Sequence, residues 1–387
     1  MNKKVLASFM TCILLLSACG QPAAQTPATA AETAVTAAKP ARFTEKVKTL
    51  GRTYDDGNTL WLGFSGTGAD FTVSGKTCKI TVAGCSNAIP GGDNLARLAV
   101  YVDGERVLDE LIDRKEKEFT VFDNDTSASH EVRIVKLSEC AHSVCGIKAV
   151  TTDGEITPSP SKAMTIEFIG DSITCGYGVD DEVKEHHFST ETEDCTKAYA
   201  MKTAEKLDAD AYLVSLSGYG IISGYSDGKT QQKNQIIPKY YDKFGYSYTT
   251  FGDSSTQPSS IEWDHSKVQP DVIVINLGTN DASWTKTEED RLNEYMEKYK
   301  EFVKHIREVH PDSHIVCTLG IMGDSLYPYI EYAVQGYVEE TGDKKIHTMK
   351  FDVQSPEDGY AADWHPTEAT HEKAAEKLAE FIRSECK

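Results

Sequence analysis

The sequence predicts two folds of different class: an all-β jelly roll or sandwich over 42–157, then a three-layer α/β domain over 162–387 with a five-stranded parallel sheet. Three observations predict it. The chain has 387 residues, enough for two separate cores. Its first half carries short alternating apolar runs broken by turn residues. After Thr157-Pro158-Ser159-Pro160-Ser161 the pattern changes to apolar runs separated by helical stretches.

The first 41 residues stand outside both folds. Two lysines, Lys3 and Lys4, precede an apolar run from Val5 to Leu16, and small residues follow. That is the pattern of a secretory signal, and the run is too short to remain as a membrane span. Leu16-Ser17-Ala18-Cys19 resembles the bacterial lipobox, which implies cleavage after residue 18 and acylation of Cys19. Residues 19–41 are an Ala/Thr/Pro tether without hydrophobic period. The expected location is extracytoplasmic, on a bacterial membrane, with lipid anchoring as the only membrane contact.

In the first half the expected strands are Thr59–Phe64, Asp70–Val73, Cys78–Val82, Leu98–Val102, Glu118–Phe122 and His130–Lys136. Gly66, Gly75, Gly84, Gly104 and Asp123-Asn124-Asp125 read as the turns between them. Asp123-Asn124-Asp125 reads as a plain turn in preference to a calcium loop, because Ala128 and Ile134 stand where such a loop needs Gly and Glu.

In the second half the strands are Thr165–Ile169, Ala211–Leu216, Val272–Leu277, His314–Leu319 and Lys345–Phe351. A helix over Glu288–His310 places Leu292, Tyr295, Met296, Tyr299, Phe302, Val303, Ile306 and Val309 on one stripe, and Pro311 stops it. A last helix covers about Thr367–Ser384. Strands alternating with helices give a parallel sheet whose ligands sit at the carboxyl ends of the strands.

Charge and cysteines bound the partners. Lys and Arg number 40 against 60 Asp and Glu, a net charge of −20, which argues against nucleic acid. Beyond Cys12 and Cys19 there remain Cys78, Cys85, Cys140, Cys145, Cys175, Cys195, Cys317 and Cys386. In an oxidising compartment these are disulfide partners or free thiols, with Cys78/Cys85, Cys140/Cys145 and Cys175/Cys195 as local pairs. Their spacing does not suit zinc. His186-His187 reads as part of a solvated loop rather than a metal pair.

Four short blocks fall just past predicted strands: Gly170-Asp171-Ser172, Ser217-Gly218-Tyr219-Gly220, Gly278-Thr279-Asn280-Asp281 and Asp363-Trp364-His365. Together they put a serine, two oxyanion donors and a histidine on one rim. They closely resemble the SGNH (GDSL-type) hydrolase superfamily, whose blocks are named for Ser, Gly, Asn and His, and the resemblance covers the whole second half with its flavodoxin-like sheet. Gly51-Arg52, Leu60-Trp61-Leu62-Gly63, Val102-Asp103-Gly104, His130 and Lys136–Glu139 resemble the N-terminal domain of carbohydrate esterase family 2. That family removes acetyl groups from plant polysaccharides.

The residues suit that chemistry. Ser172 is the candidate nucleophile and His365 its general base, then acid. The Ser172 and Gly218 N–H groups and the Asn280 amide are the oxyanion donors, with Gly220 a rival to Gly218. No metal or cofactor is implied. The superfamily usually spaces Asp-x-x-His, whereas this chain has Asp-x-His. An extended segment puts i and i+2 on one side, so Asp363 is expected to orient His365, with a backbone carbonyl as the alternative. Asp171 and Asp281 read as loop supports. Trp284 and Trp364 flank the site as candidate sugar platforms, and 219–263 is an insertion of unread role.

The resemblance implies a monomeric carbohydrate esterase acting on acetylated xylan or glucomannan. The alternatives are a short-chain lipase or thioesterase, and a non-catalytic glycan-binding surface protein.

Overall fold

Among the described residues fourteen strands divide between two sheets that never exchange a strand. The structure is a computed structural model, and it describes residues 42–386. The signal segment, Cys19 and the tether lie outside the described residues. Among the described residues no helix is long and apolar enough to cross a membrane.

The first sheet is antiparallel. It contains β1 (Lys48–Leu50), β2 (Thr53–Asp55), β3 (Leu60–Leu62), β4 (Gly68–Gly84), β5 (Arg97–Val102), β6 (Glu105–Leu111), β7 (Glu116–Lys136), β8 (Cys145–Thr152) and β9 (Glu155–Pro158). Its main path runs β2-β3-β8-β4-β7-β5-β6, with β1 and β9 also on β4. Leu62, Phe71, Val73, Ile80, Val82, Leu98, Val132 and Ile134 are fully buried between its curled flanks.

Here two expected turns are absent. Gly75 does not separate two strands, because β4 runs 17 residues through it. Asp123-Asn124-Asp125 likewise lies inside the 21-residue β7. The two stretches face each other: Gly75 pairs with Ala128 and Thr77 with Asp123, and the register shifts between them. Turn-forming residues thus mark an irregular bend in paired strands, where a bulge tightens the curl without ending the ladder.

The second sheet is parallel, with β10 (Met164–Gly170), β11 (Ala209–Ser215), β12 (Val272–Asn276), β13 (His314–Ile321) and β14 (Ile346–Val353) in the order β11-β10-β12-β13-β14. Among the described residues six α-helices accompany it: α1 (Ser172–Cys175), α2 (Tyr199–Lys206), α3 (Thr279–Thr285), α4 (Glu289–Val309), α5 (Tyr327–Thr341) and α6 (Glu368–Glu385). Alternate strand residues face opposite layers. Val272 and Val274 pack with α2 and α6, whereas Ile273 and Ile275 pack with α4 and α5.

The two halves form one compact unit. Trp61, Phe64 and Cys140 of the antiparallel half share a core with Ile169, Val214 and the insertion's Tyr241, Phe244 and Phe251. Each such side chain contributes about 1.5–3 kcal/mol through burial. Arg52, fully buried, ties the three parts together. Its guanidinium donates to Glu167 Oε1 at 2.8 Å and to the Tyr241 carbonyl, and Tyr241 Oη donates to Glu167 Oε2 at 2.8 Å. Arg52 holds the Glu167 carboxylate below its ordinary range despite full burial, which opposes it most strongly. The insertion is therefore a cemented wall, not a separate flap.

All eight described cysteines are free thiols, and none of the three local pairs is bridged. Cys78 and Cys85 are held apart by the extended end of β4, roughly 20 Å of strand and beyond disulfide reach. Cys140 and Cys145 lie in different cores. Cys175 donates to Ser215 Oγ at 3.2 Å, and Cys195 to the Lys136 carbonyl at 3.7 Å.

Candidate active site

The site begins where β10 ends. Gly170 allows the next turn to fold back on the strand: a Cβ there would stand 2.0 Å from Thr174 Oγ1. Asp171 caps the one-turn helix α1 by accepting from Ile173 N at 3.1 Å, and Gly176 closes it in the left-handed region. Ser172 is thus the first residue of a short, fixed turn at the sheet's carboxyl rim.

His365 reaches it from the opposite side. Its Nε2 lies 2.9 Å from Ser172 Oγ, and its Nδ1 lies 3.1 Å from the Ala362 carbonyl. Since a carbonyl only accepts, Nδ1 carries the proton and Nε2 offers its lone pair to the serine hydroxyl. Burial pushes the His365 imidazole down to about 4, so the neutral base is the standing form at neutral pH. Tyr177 stacks on the ring with centroids 3.8 Å apart and planes 14° apart, fixing its tilt.

Asp363 does not orient His365. Its Oδ1 is 2.8 Å from His187 Nδ1, while its Oδ2 accepts from Tyr177 Oη at 2.5 Å and Phe188 N at 3.1 Å. The reason is the backbone. Asp363 and Trp364 both sit at positive φ, 49° and 62°, within a tight 3-10 turn. The side chains of 363 and 365 diverge there, as they would not in an extended segment. The arrangement is a Ser–His dyad aligned by a carbonyl. Asp363 reaches the histidine only indirectly, through the tyrosine stacked on it. Burial opposes its charge, but the Tyr177 and His187 contacts outweigh it and hold the carboxyl below its ordinary range.

The oxyanion candidates converge on the same rim. Gly218, after β11, has φ +81°, a conformation that favours glycine. Among the described residues neither the Ser172 nor the Gly218 N–H meets an acceptor. Gly220 is otherwise engaged, since its N–H donates to the Gln235 carbonyl at 3.2 Å. Asn280, near the start of α3, donates to the Tyr219 carbonyl at 2.9 Å and to Asp171 Oδ2 at 3.2 Å. Burial, with nearby Asp281, raises the Asp171 carboxyl to about 7. Burial also raises Asp281, to about 6, although it accepts from the N–H groups of Ile221, Ile222 and Ser223. Asp281 thereby holds the loop that follows Gly218.

Three supporting residues were not assigned a role from sequence. Besides Tyr177 these are Glu139 and Glu193. Glu139 Oε2 accepts from Ser217 N at 2.8 Å, bracing the Gly218 turn from the antiparallel half. Glu193 Oε2 accepts from Glu139 N at 2.8 Å, and burial beside Glu139 raises the Glu193 carboxyl far above its ordinary range. A hint lay in the Lys136–Glu139 stretch, but its partners are remote in sequence.

Around the dyad the rim is aromatic. Tyr177 contacts Phe188 at 4.8 Å, Phe188 contacts His142 at 4.7 Å, and His142 contacts Tyr248 of the insertion at 5.8 Å. Trp364 is 50% exposed beside the histidine. Trp284 is less open: the Arg291 guanidinium covers one face, 3.6 Å from the ring centroid. His186 and His187 turn to different carboxylates, Asp181 and Asp363.

Residues 168–373 match the GDSL-like lipase/acylhydrolase family. The chain belongs to that family. Residues 49–160 match the N-terminal domain of carbohydrate esterase family 2. The cellulase/esterase CelE of Acetivibrio thermocellus is 34% identical over 224 residues, 57% of this chain and 25% of that protein. This chain therefore matches only about a quarter of CelE's length. An acetylxylan esterase/glucomannan deacetylase of Cellvibrio japonicus is 29% identical over 344 residues, 87% of this chain and 88% of that protein. A family two carbohydrate esterase from Clostridium thermocellum, solved with cellohexaose, superposes with TM-score 0.74 and 27% identity over 87% of this chain and 98% of that one.

Proposed function

We propose that this hydrolase removes O-acetyl groups from plant polysaccharides such as xylan and glucomannan, using the Ser172–His365 dyad. The observation that carries the reading is the 2.9 Å contact between Ser172 Oγ and His365 Nε2, with the imidazole proton tied to the Ala362 carbonyl. Ser172 Oγ attacks the acetyl carbonyl as its proton passes to Nε2. The imidazolium then protonates the departing sugar hydroxyl, leaving acetyl-Ser172, and a water activated by the same nitrogen releases acetate. The Ser172 and Gly218 N–H groups and the Asn280 amide stabilise the oxyanion, each worth about 3 kcal/mol. Asn280 reaches the oxyanion by giving up the Asp171 contact, the longer of its two.

The rim favours a sugar over a fatty chain. Tyr177, Phe188, His142, Tyr248 and Trp364 present ring faces, whereas the exposed aliphatic side chains are single residues, Ile89, Val107, Val183 and Val353, of which only Val183 stands in the loop beside the site. The names of the Cellvibrio relative and of the cellohexaose complex support the same substrate class. The signal-like segment and Cys19 support an enzyme acylated at Cys19 and tethered outside the cytoplasmic membrane. A Cys19→Ala variant would then leave the membrane fraction.

The test is acetate release from acetylated xylan and acetylated glucomannan, run beside p-nitrophenyl esters of increasing chain length. Release from the glycans, with acetyl preferred over longer acyl groups, supports the reading. Preference for longer acyl chains favours the lipase, and no release above Ser172→Ala leaves only glycan binding.

A further inference from the structure

The parallel sheet has a second end, and its chemistry differs from the first. His314 opens β13, His347 is the second residue of β14, and Cys386 follows the last turn of α6. Because Val316 pairs with His347, residues 314, 316 and 347 share one face of the sheet. That is the face α6 covers, and Cys386 packs at its margin with Phe381. Ligating atoms from His314, His347 and Cys386 all lie within 4.8 Å of one another.

We propose that His314, His347 and Cys386 form a zinc-binding site that clamps the end of α6 to β13 and β14. Two imidazoles and a thiolate are a donor set that zinc favours, and three protein ligands leave a fourth position for water. Two nitrogens bound at about 2.0–2.1 Å around a tetrahedral centre stand about 3.3 Å apart. His314 Nδ1 and His347 Nε2 are 3.2 Å apart, with their rings 17° from parallel, so the sheet already sets one tetrahedral edge. All three ligands are partly buried, within reach of a metal from solvent. Burial lowers the His347 imidazole from its ordinary value. Burial, with Glu385 beside it, raises the Cys386 thiol to about 12, so the thiolate forms only as the metal displaces its proton.

The site lies a strand's length from the dyad, roughly 20 Å, and takes no part in ester chemistry. Its effect is on the anchoring of the last helix. The histidine pair without metal is a hydrogen-bonded couple beside a thiol, and the two states separate experimentally.

The experiment is a cobalt(II) titration of the full chain, freed of metal by a chelator and kept reduced. One equivalent should saturate a thiolate-to-cobalt charge-transfer band with the intense visible bands of a tetrahedral site, and zinc should bleach both. Cys386→Ser should abolish the charge-transfer band, and His347→Gln should weaken binding by at least about tenfold. A second arm needs no variant: excess zinc should slow alkylation of Cys386 by iodoacetamide by at least about tenfold. The proposal is overturned if no charge-transfer band develops, if the band persists in Cys386→Ser, or if zinc leaves alkylation unchanged.

Discussion

The carboxyl rim of the parallel sheet and the interior of the antiparallel sheet bury very different groups. In the antiparallel sheet the residues buried between the curled flanks are mostly aliphatic and aromatic, with the thiols Cys78 and Cys145 among them, while ion pairs such as Lys79–Glu118 stay in solvent; Asp70 and Lys136 are the exceptions. On the rim Asp171, Ser172, Asn280, Asp281 and His365 are all less than a tenth exposed, and each has a polar partner. Burying polar groups is unfavourable unless they are paired, so such a concentration persists where function selects for it. The difference teaches that the antiparallel half builds and the rim reacts. Glu139 crosses the division, because it belongs to the building half yet holds the turn that carries Gly218.

Substitutions sharpen that contrast in graded steps. Ser172→Ala should lower kcat on acetylated xylan by at least about 10⁴-fold with the fold intact. Asn280→Ala should lose about 10²–10³-fold in kcat, with KM little changed, because its amide acts on the developing oxyanion. Glu139→Ala should lower kcat by about tenfold, the effect of freeing one buried N–H. An unchanged kcat would confine function wholly to the second half. Lys79→Ala, which removes an exposed ion pair, should change neither kcat nor melting temperature measurably.

The pH profile offers a finer reading of the same burial. In the proposed mechanism the base is neutral His365, and burial depresses its protonation to about 4. Below an ordinary histidine value the free enzyme should therefore stay active, and the acid limb of kcat/KM should fall near pH 4. A limb near 6.5 would mean that His365 is solvated in the working enzyme.

Much of the rim was legible in the sequence, because each block follows a short strand and neither strand nor block needs a distant partner to be recognised. The helix stripe of Leu292, Tyr295, Tyr299 and Phe302 was equally local. What escaped was non-local or conformationally rare. Gly75 and Asp123-Asn124-Asp125 carry turn chemistry, yet their facing positions in paired strands convert it into a bend. Asp363 lost its expected role because two successive non-glycine residues adopt left-handed backbone, which no residue pattern announces. Glu139 and Glu193 meet across 54 residues, and His314 and His347 across 33, so spacing could not couple them. The cysteine pairs failed for the converse reason: nearness in sequence meant separation along an extended strand or between cores.

The most direct test of the carbonyl-aligned dyad is kcat for acetate release by Asp363→Asn beside Ser172→Ala. The variant should retain kcat within about tenfold of the unmodified enzyme, since the Ala362 carbonyl still holds His365 Nδ1. A loss approaching about 10⁴-fold, the size expected when a true triad aspartate is replaced, would contradict the account.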